Sequence, residues 1–424
     1  MLLSLNHRRF LILIFGIAIV LRLVLMPFFA HVDLYSEMRR VFYVIENGYY
    51  LENAHRFLVF YIEIIGAAVS MFFIDVTQGL FHLDDPKNSA ASLVDYGFFL
   101  NDPNLYRHLF FFKLPYLVFD LATAAIIWKF IDDPYYKRLG VLLWLFNPLT
   151  IFSTYIFGRF EVISLFFLAL TALKLKQHQI ILAAMSFGAA LLCREINLLF
   201  APFFLLAVLD YKDAYLKQVL SVAACAFIVV FMYMLPEPLL SALGGDTSHF
   251  VPLTGAHEVD ALNKLLSMGY YWFYPIIICL AVLGVYAWEV RSADHAQRYV
   301  ICCAVALFIY FGFNVHSVHY AAWLVIMPIL SLQYGREVLL PMFALVMVWL
   351  ILWLLKTDAG VFTLFLAAPL NPDLAQMGHF PSYYQRHFAS SGLSLYQAIQ
   401  IVRSLFLVVM LFFAYRLLRS RLVG

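Results

Sequence analysis

The stretch FLVFYIEIIGAAVSMFFIDVT, Phe57–Thr77, decides the architecture, because one extra membrane crossing here would invert every loop that follows. It is long and apolar, yet it carries two acids, Glu63 and Asp75. Its surroundings are also apolar. Hydrophobic residues make up 64% of the 424-residue chain and charged residues 13%, with a mean hydropathy of +0.85. A soluble domain carries about 25% charged residues. Apolar runs recur at 10–29, 110–131, 139–157, 161–174, 179–193, 195–209, 216–235, 268–288, 299–315, 319–333, 337–355 and 396–418. About 20 such residues cross a hydrocarbon core of ~30 Å. The chain reads as an all-α polytopic membrane protein.

Positive charge settles the reading of Phe57–Thr77. If it does not cross and the N-terminus is cytoplasmic, Arg8/Arg9, Lys137/Arg138, Lys174/Lys176, Lys212/Lys217, Arg291/Arg298, Arg336 and Arg416/Arg419/Arg421 are all cytoplasmic. The opposite loops 236–267 and 356–395 then hold only Lys264, and Lys356 with Arg386. A crossing would put six later basic segments outside, against the strong retention of short basic loops on the cytoplasmic side. The stretch therefore reads as an interfacial helix. It sits in a first external loop, 30–108, of a single 1–424 bundle with about twelve spans and both termini cytoplasmic. The runs 179–193 and 195–209 are short and broken by Arg194-Glu195. They read either as two thin helices or as a hairpin that does not fully cross, and both return the chain to the same side.

Other classes fall away. Phe10–Phe29 is too long for a signal-peptide core and reads as an uncleaved first span. The five cysteines lie in or beside apolar runs, as packing residues do, and not in a disulfide framework or at metal-ligand spacing. A net charge of +2 without a basic block points to no nucleic-acid partner.

This topology gathers polar clusters on one face. Asp33 and Glu37 lie in HVDLYSEMRR after the first span, Arg159 and Glu161 in the turn FGRFEV, Arg194 and Glu195 in CREINL, and His316, His319 and Tyr320 in NVHSVHYAAW. Each also has a plain structural reading. Asp33 could cap a helix with Glu37 facing solvent one turn on, and Glu161 could complement a helix dipole. Arg194 and Glu195 could form a local ion pair, and the late aromatics could be interfacial anchors. His316 and His319 lack a third ligand or an HExxH pattern, so no metal site is assigned. Inside the membrane, Arg22, Lys113 and Asp120 require pairing, as Arg22–Asp120 or Lys113–Asp120, and read as structural charges.

Taken in order, several stretches resemble one family. HVDLYSEM is similar to a first-loop acidic motif, ENGYYLENAHRFLVFYIEII to an interfacial jaw segment, and FKLPYLVFDLATAAIIW to a second span with Lys-x-Pro and a buried Asp. LFNPLTIFSTYIFGRFEVISLFF, LLCREINLLFAPFFLL and VHSVHYAAWLVIMPIL are similar to its later motifs. The family is the GT-C superfamily of polyprenyl-phosphate-sugar-dependent glycosyltransferases, and the likeness is greatest to GPI-type mannosyltransferases and their prokaryotic relatives. Glu161 stands where that pattern usually has Asp, and Arg194 where Lys is common.

The resemblance implies a GT-C-like bundle with jaw helices. It also implies inverting transfer of a mannosyl or other hexosyl unit from a polyprenyl-phosphate donor to a glycan, lipid or protein acceptor on the non-cytoplasmic face. Asp33 would be the base, supported by Glu37, and Arg194 with Arg159 would hold the donor phosphate. Glu161, His316, His319 and Tyr320 would orient substrate. The membrane would be a prokaryotic plasma membrane or the endoplasmic reticulum. No cofactor is implied, although a divalent metal is compatible with the chemistry. The competing readings are a transporter or flippase for lipid-linked or anionic substrates, lined by the intramembrane charges, and a catalytically silent scaffold of the same fold.

Overall fold

The computed structural model describes residues 6–47, 57–71, 73, 99–209, 283, 294–313, 318–336, 338–355, 366–376 and 394–422. Among them every regular element is helical. Four stretches are long and apolar enough to cross a membrane: Leu105–Phe130, Pro134–Phe157, His295–Phe313 and Leu395–Leu418, with five shorter apolar helices beside them. The expected spans at 216–235 and 268–288 and the loop 236–267 lie essentially outside the described residues, as do His316 and most of 356–395.

The chain opens with α1 (His7–Leu25), α2 (Val32–Asn47) and α3 (Phe57–Met71). Next, α4 (Leu105–Phe112) and α5 (Leu114–Phe130) meet at Lys113, where Pro115 fits the first turn because a proline there forfeits no helical hydrogen bond. The Asp133 carboxylate caps α6 (Pro134–Leu145) by accepting from the Tyr135 and Tyr136 N–H groups. The run expected at 139–157 is not one straight helix. Asn147-Pro148 breaks it, Asn147 caps the short α7 (Pro148–Ile151), and a π-helical turn follows over Phe152–Phe157.

Gly158 closes that turn at φ +89°, in the left-handed region open to glycine. Two antiparallel helices come next, α8 (Glu161–Lys176) and α9 (Ile180–Cys193). Glu195–Phe200 forms a 3-10 segment before α10 (Ala201–Leu209). Later described elements are α11 (His295–Phe313), a 3-10 segment over Val318–Ala322, α12 (Trp323–Ser331), α13 (Leu339–Leu355) and α14 (Leu395–Leu422).

α8 is the central helix, packed against α5, α9, α11 and α12. The outer faces of α1 and α14 leave Ile12, Ile17, Val20, Leu405, Val408 and Phe412 exposed, an apolar exterior suited to hydrocarbon. Polar groups gather at the two ends of the helices. One end holds Lys176 bonded to Asp132 at 2.6 Å, with Gln333 donating to the same carboxylate at 2.8 Å. The far end holds Glu161, the first residue of α8, 15 residues and about 22 Å away along the helix.

α3 seats on the far end. Its Gly66 lies so close to Pro115, at the start of α5, that a Cβ would meet the proline ring at 2.8 Å, and Phe73 stacks on Phe111 of α4.

A charged frame locks these turns together. Arg22 Nε meets Asp120 Oδ2 at 2.5 Å, and its other nitrogens donate to the carbonyls of Ala18 and Leu145. Asp120 also accepts from the Tyr155 hydroxyl and Trp144 Nε1, both at 2.7 Å. Of the two pairings open in the sequence, Arg22–Asp120 forms. Lys113 instead donates to three backbone carbonyls, of Met26, Phe29 and Tyr155, tying the α1–α2 turn to the π-helical turn. Three hydrogen-bonded partners explain how the Asp120 carboxylate is kept nearly dry inside an apolar bundle, where a lone charge costs several kcal/mol.

Candidate functional site

Three turns from distant parts of the sequence converge at the end of the bundle opposite Lys176. α2 brings Asp33 in its first turn; it lies within the helix, not at a cap. Arg159 Nη1 lies 3.3 Å from Asp33 Oδ2, and Arg159 Nε lies 3.6 Å from Glu161 Oε1. The same Glu161 oxygen accepts from Arg194 Nη2 at 2.8 Å. Arg194 thus pairs with Glu161 across the α8–α9 interface, and the side chain of Glu195 falls outside the described residues. The result is a row, Asp33–Arg159–Glu161–Arg194, of alternating charge.

Burial separates the roles within the row. The Glu161 side chain is fully buried and that of Arg159 is 4% exposed, whereas the Asp33 side chain is 41% exposed. Glu37, one turn after Asp33 and bonded to Arg40 at 3.1 Å, is only 10% exposed instead of facing solvent. Asp33 is therefore the carboxylate that a solute can reach. Burial opposes the charge on Arg159, but Glu161, followed by Tyr320, Asp33 and Glu37, outweighs it. Its pKa lies above the ordinary arginine value, so it stays a cation.

Aromatic rings fix the cations from the side. The guanidinium carbons of Arg159 and Arg194 lie 4.9 and 5.2 Å from the Phe160 ring centroid, on either side of Glu161 in sequence. Arg194 also lies over Tyr320 at 5.3 Å. Such contacts add roughly 0.5–2 kcal/mol each and restrict where the fork can point.

Beneath Asp33 runs a column of rings: His31 on Phe157 at 4.0 Å, Phe157 on His319 at 4.1 Å, and His319 on Tyr320 at 4.1 Å. His319 and Tyr320 lie on a 3-10 segment, so they are adjacent members of this column and not neighbours on an α-helical face. The Asp33 N–H donates to His31 Nδ1 at 3.1 Å, which fixes the start of α2. The Leu34 side chain then packs directly on Gly158, where a Cβ would approach it to 2.7 Å.

Family models, curated proteins and solved structures offer no match to this chain. The described residues form a helical chain with apolar helices of membrane-spanning length and a charged row at one end.

Sequence reasoning named Asp33, Glu37, Arg159, Glu161, Arg194, His319 and Tyr320, and the structure brings them together. Arg22, Lys113 and Asp120 stand apart as the frame. Four residues at or behind the site were not named from the sequence. Phe157 and Phe160 are one aromatic each among many. Tyr116, spaced i+3 from Lys113 and i–4 from Asp120, gave a periodic signal that no motif flagged. His31 belongs to the same set, as the residue heading the acidic motif.

Proposed function

We propose that the chain is a polytopic membrane glycosyltransferase, of about twelve spans with both termini cytoplasmic, that transfers a hexosyl unit such as mannose, with inversion at the anomeric carbon, from a polyprenyl phosphate onto an acceptor hydroxyl at the non-cytoplasmic face. The observation that supports this most is the charged row. A solvent-reachable carboxylate stands beside two ring-stacked arginines held by one buried acid. The membrane would be a prokaryotic plasma membrane or the endoplasmic reticulum.

The chemistry asks for two things at that spot. As the acceptor oxygen attacks the anomeric carbon, its proton passes to the Asp33 carboxylate. The bond from that carbon to the phosphate oxygen breaks, and the polyprenyl phosphate leaves with the electron pair. Arg194, whose side chain is 11% exposed, and Arg159 offer forked donors to that charge, the arrangement arginine supports better than lysine. Glu161, the His319–Tyr320 pair and Glu37 hold the arginines and α2 in place.

A transporter would concentrate its charges near mid-depth along a path. The deeper pair, Arg22–Asp120, is instead closed by Tyr155, Trp144 and two carbonyls.

The deciding experiment gives the purified protein a panel of polyprenyl-phosphate sugars with a radiolabelled hexose and follows release or transfer. Wild type should turn over at least one donor, and Asp33→Asn should lose activity by roughly 10²–10⁴-fold while expressing normally. Full activity in Asp33→Asn would remove it as the base. Solute uptake by proteoliposomes, without sugar transfer, would favour the transporter.

A further inference from the structure

Glu63, one of the two acids that made Phe57–Thr77 ambiguous, has a defined place. Glu63 is 1% exposed, and its Oε1 accepts from the Tyr116 hydroxyl at 2.5 Å, with Tyr116 itself fully buried. A short O–H to carboxylate contact of this kind is among the stronger hydrogen bonds in proteins. It forms where Gly66 brings α3 into direct contact with Pro115, one residue before Tyr116.

Tyr116 belongs to a polar stripe on α5. Lys113, Tyr116 and Asp120 follow one another at i, i+3 and i+7. Lys113 takes the turn before α2, Asp120 takes α1 and α6, and both bind Tyr155 in the π-helical turn. Tyr116 takes α3. It also lies in electrostatic reach of Glu37 and Arg159, so the stripe comes up to the charged row from behind. α3 in turn packs along α2, the helix that carries Asp33 and Glu37.

We propose that Glu63 and Tyr116 are positioning residues for the site: their hydrogen bond pins α3 to α5, and α3 holds the acidic face of α2 against Arg159. Its catalytic consequence rests on the transferase reading above, while its geometric part does not. A bond that served only to hold the bundle together would lower stability and leave the remaining folded enzyme at full kcat. A bond that sets the angle of α2 changes turnover in folded protein, because a shift of about 1 Å in a reacting group costs on the order of 10²-fold.

Two readouts test it. The first is steady-state kinetics on folded Tyr116→Phe, which loses only the hydroxyl, and on Glu63→Leu and Glu63→Gln. The Gln carbonyl can still accept from Tyr116. The expected result is a kcat lower by roughly ten- to a hundredfold in Tyr116→Phe and Glu63→Leu, with little change in donor KM, a moved acid limb of the pH–rate profile, and substantial rescue in Glu63→Gln.

The second readout needs no activity. Asp33→Cys, in a background with the native cysteines changed to Ala, is labelled with a water-soluble maleimide. Adding Tyr116→Phe, or Glu63→Leu should the first variant not fold, should change the labelling rate severalfold. Adding Glu63→Gln should restore it. An unchanged labelling rate, or wild-type kcat and pH profile in folded Tyr116→Phe, would overturn the proposal. Absence of transfer by wild type with every donor would instead sink the transferase reading, and the labelling rate would still decide the role of Glu63.

Discussion

Replacing Asp120 tests the frame most sharply, because the pair it forms with Arg22 is almost completely removed from solvent. Asp120→Asn keeps the shape but leaves one acceptor oxygen where the carboxylate offered two, one to Trp144 and the other to Tyr155 and Arg22, and it deletes the charge facing Arg22 at 2.5 Å. An uncompensated buried guanidinium costs about 3–5 kcal/mol, a large share of a typical ~5–15 kcal/mol of total stability. Arg22→Leu strands the Asp120 carboxylate in the same way and carries a similar cost.

The double replacement Arg22→Leu/Asp120→Leu strands neither charge. Its remaining penalty is the Tyr155 hydroxyl without an acceptor, about 1–3 kcal/mol, since Trp144 also reaches the Asp120 backbone carbonyl at 3.1 Å. The double variant should therefore be more stable than either single charge deletion, with a coupling energy of at least about 3 kcal/mol. Denaturing titration of purified protein from a mild detergent into SDS, followed by tryptophan fluorescence, measures it. Additive destabilisation would refute the claim that these residues act as a closed pair. Because the pair lies behind the site, folded double variant should retain most transfer activity.

Other outcomes follow from the same structure. Glu161→Gln deprives two arginines of their shared carboxylate and should cost about 3–5 kcal/mol in the same titration; a loss under 1 kcal/mol would mean that the arginines find other anions. Gly158→Ala forces a Cβ into the left-handed region and against Leu34, so it should destabilise by at least about 1–2 kcal/mol and lower transfer by moving α2, which activity per folded molecule would show. Arg194→Lys keeps the charge but loses the fork, and should raise the donor KM more than it lowers kcat.

At the opposite end, Lys176 is the leading cause that holds the Asp132 carboxyl below its usual range. That contribution is complete above an unfolded pKa near ~3.9 and fades as pH falls through the lower folded value. Since the Asp132 side chain is 69% exposed, Asp132→Asn should cost under about 1 kcal/mol at neutral pH and progressively less as the pH is lowered into the acid range; a loss that does not change with pH would remove the ion pair as its cause. Cysteine labelling at Ser89 from outside and Tyr136 from inside tests the assigned topology.

What the sequence made legible was chemical type and which residues share one end of the bundle. Charge placement alone put Asp33, Arg159, Glu161, Arg194 and His319 at one end, and contacts among them appear there. The pairing rules were less legible. Arg194 has its own neighbour Glu195, and nothing in one dimension says that it reaches Glu161, 33 residues earlier. That choice depends on the antiparallel packing of α8 and α9, which brings the start of one helix beside the end of the other. Lys113 was legible as a buried cation but not as a ligand of carbonyls, because every residue supplies a carbonyl and only geometry selects three. The break at Asn147-Pro148 carried a sequence signal, an N-cap residue before a proline, that the apolar continuity of the run concealed. The 3-10 form of Val318–Ala322 carried none.

The π-helical turn at Phe152–Phe157 has a consequence for which changes in length the chain tolerates. The Gly158 N–H reaches back five residues to the Ser153 carbonyl at 3.1 Å, so the turn accommodates one residue more than an α-helical turn would. Deleting Ser153 would leave composition, hydropathy and every charged motif untouched. It would also let the helix close into regular α geometry and turn everything after it by about 100°. Arg159 would then swing away from Asp33, and Phe157 would leave the space between His31 and His319. A homologous chain one residue shorter between Asn147 and Gly158 would keep the whole vocabulary of this site and lose its syntax.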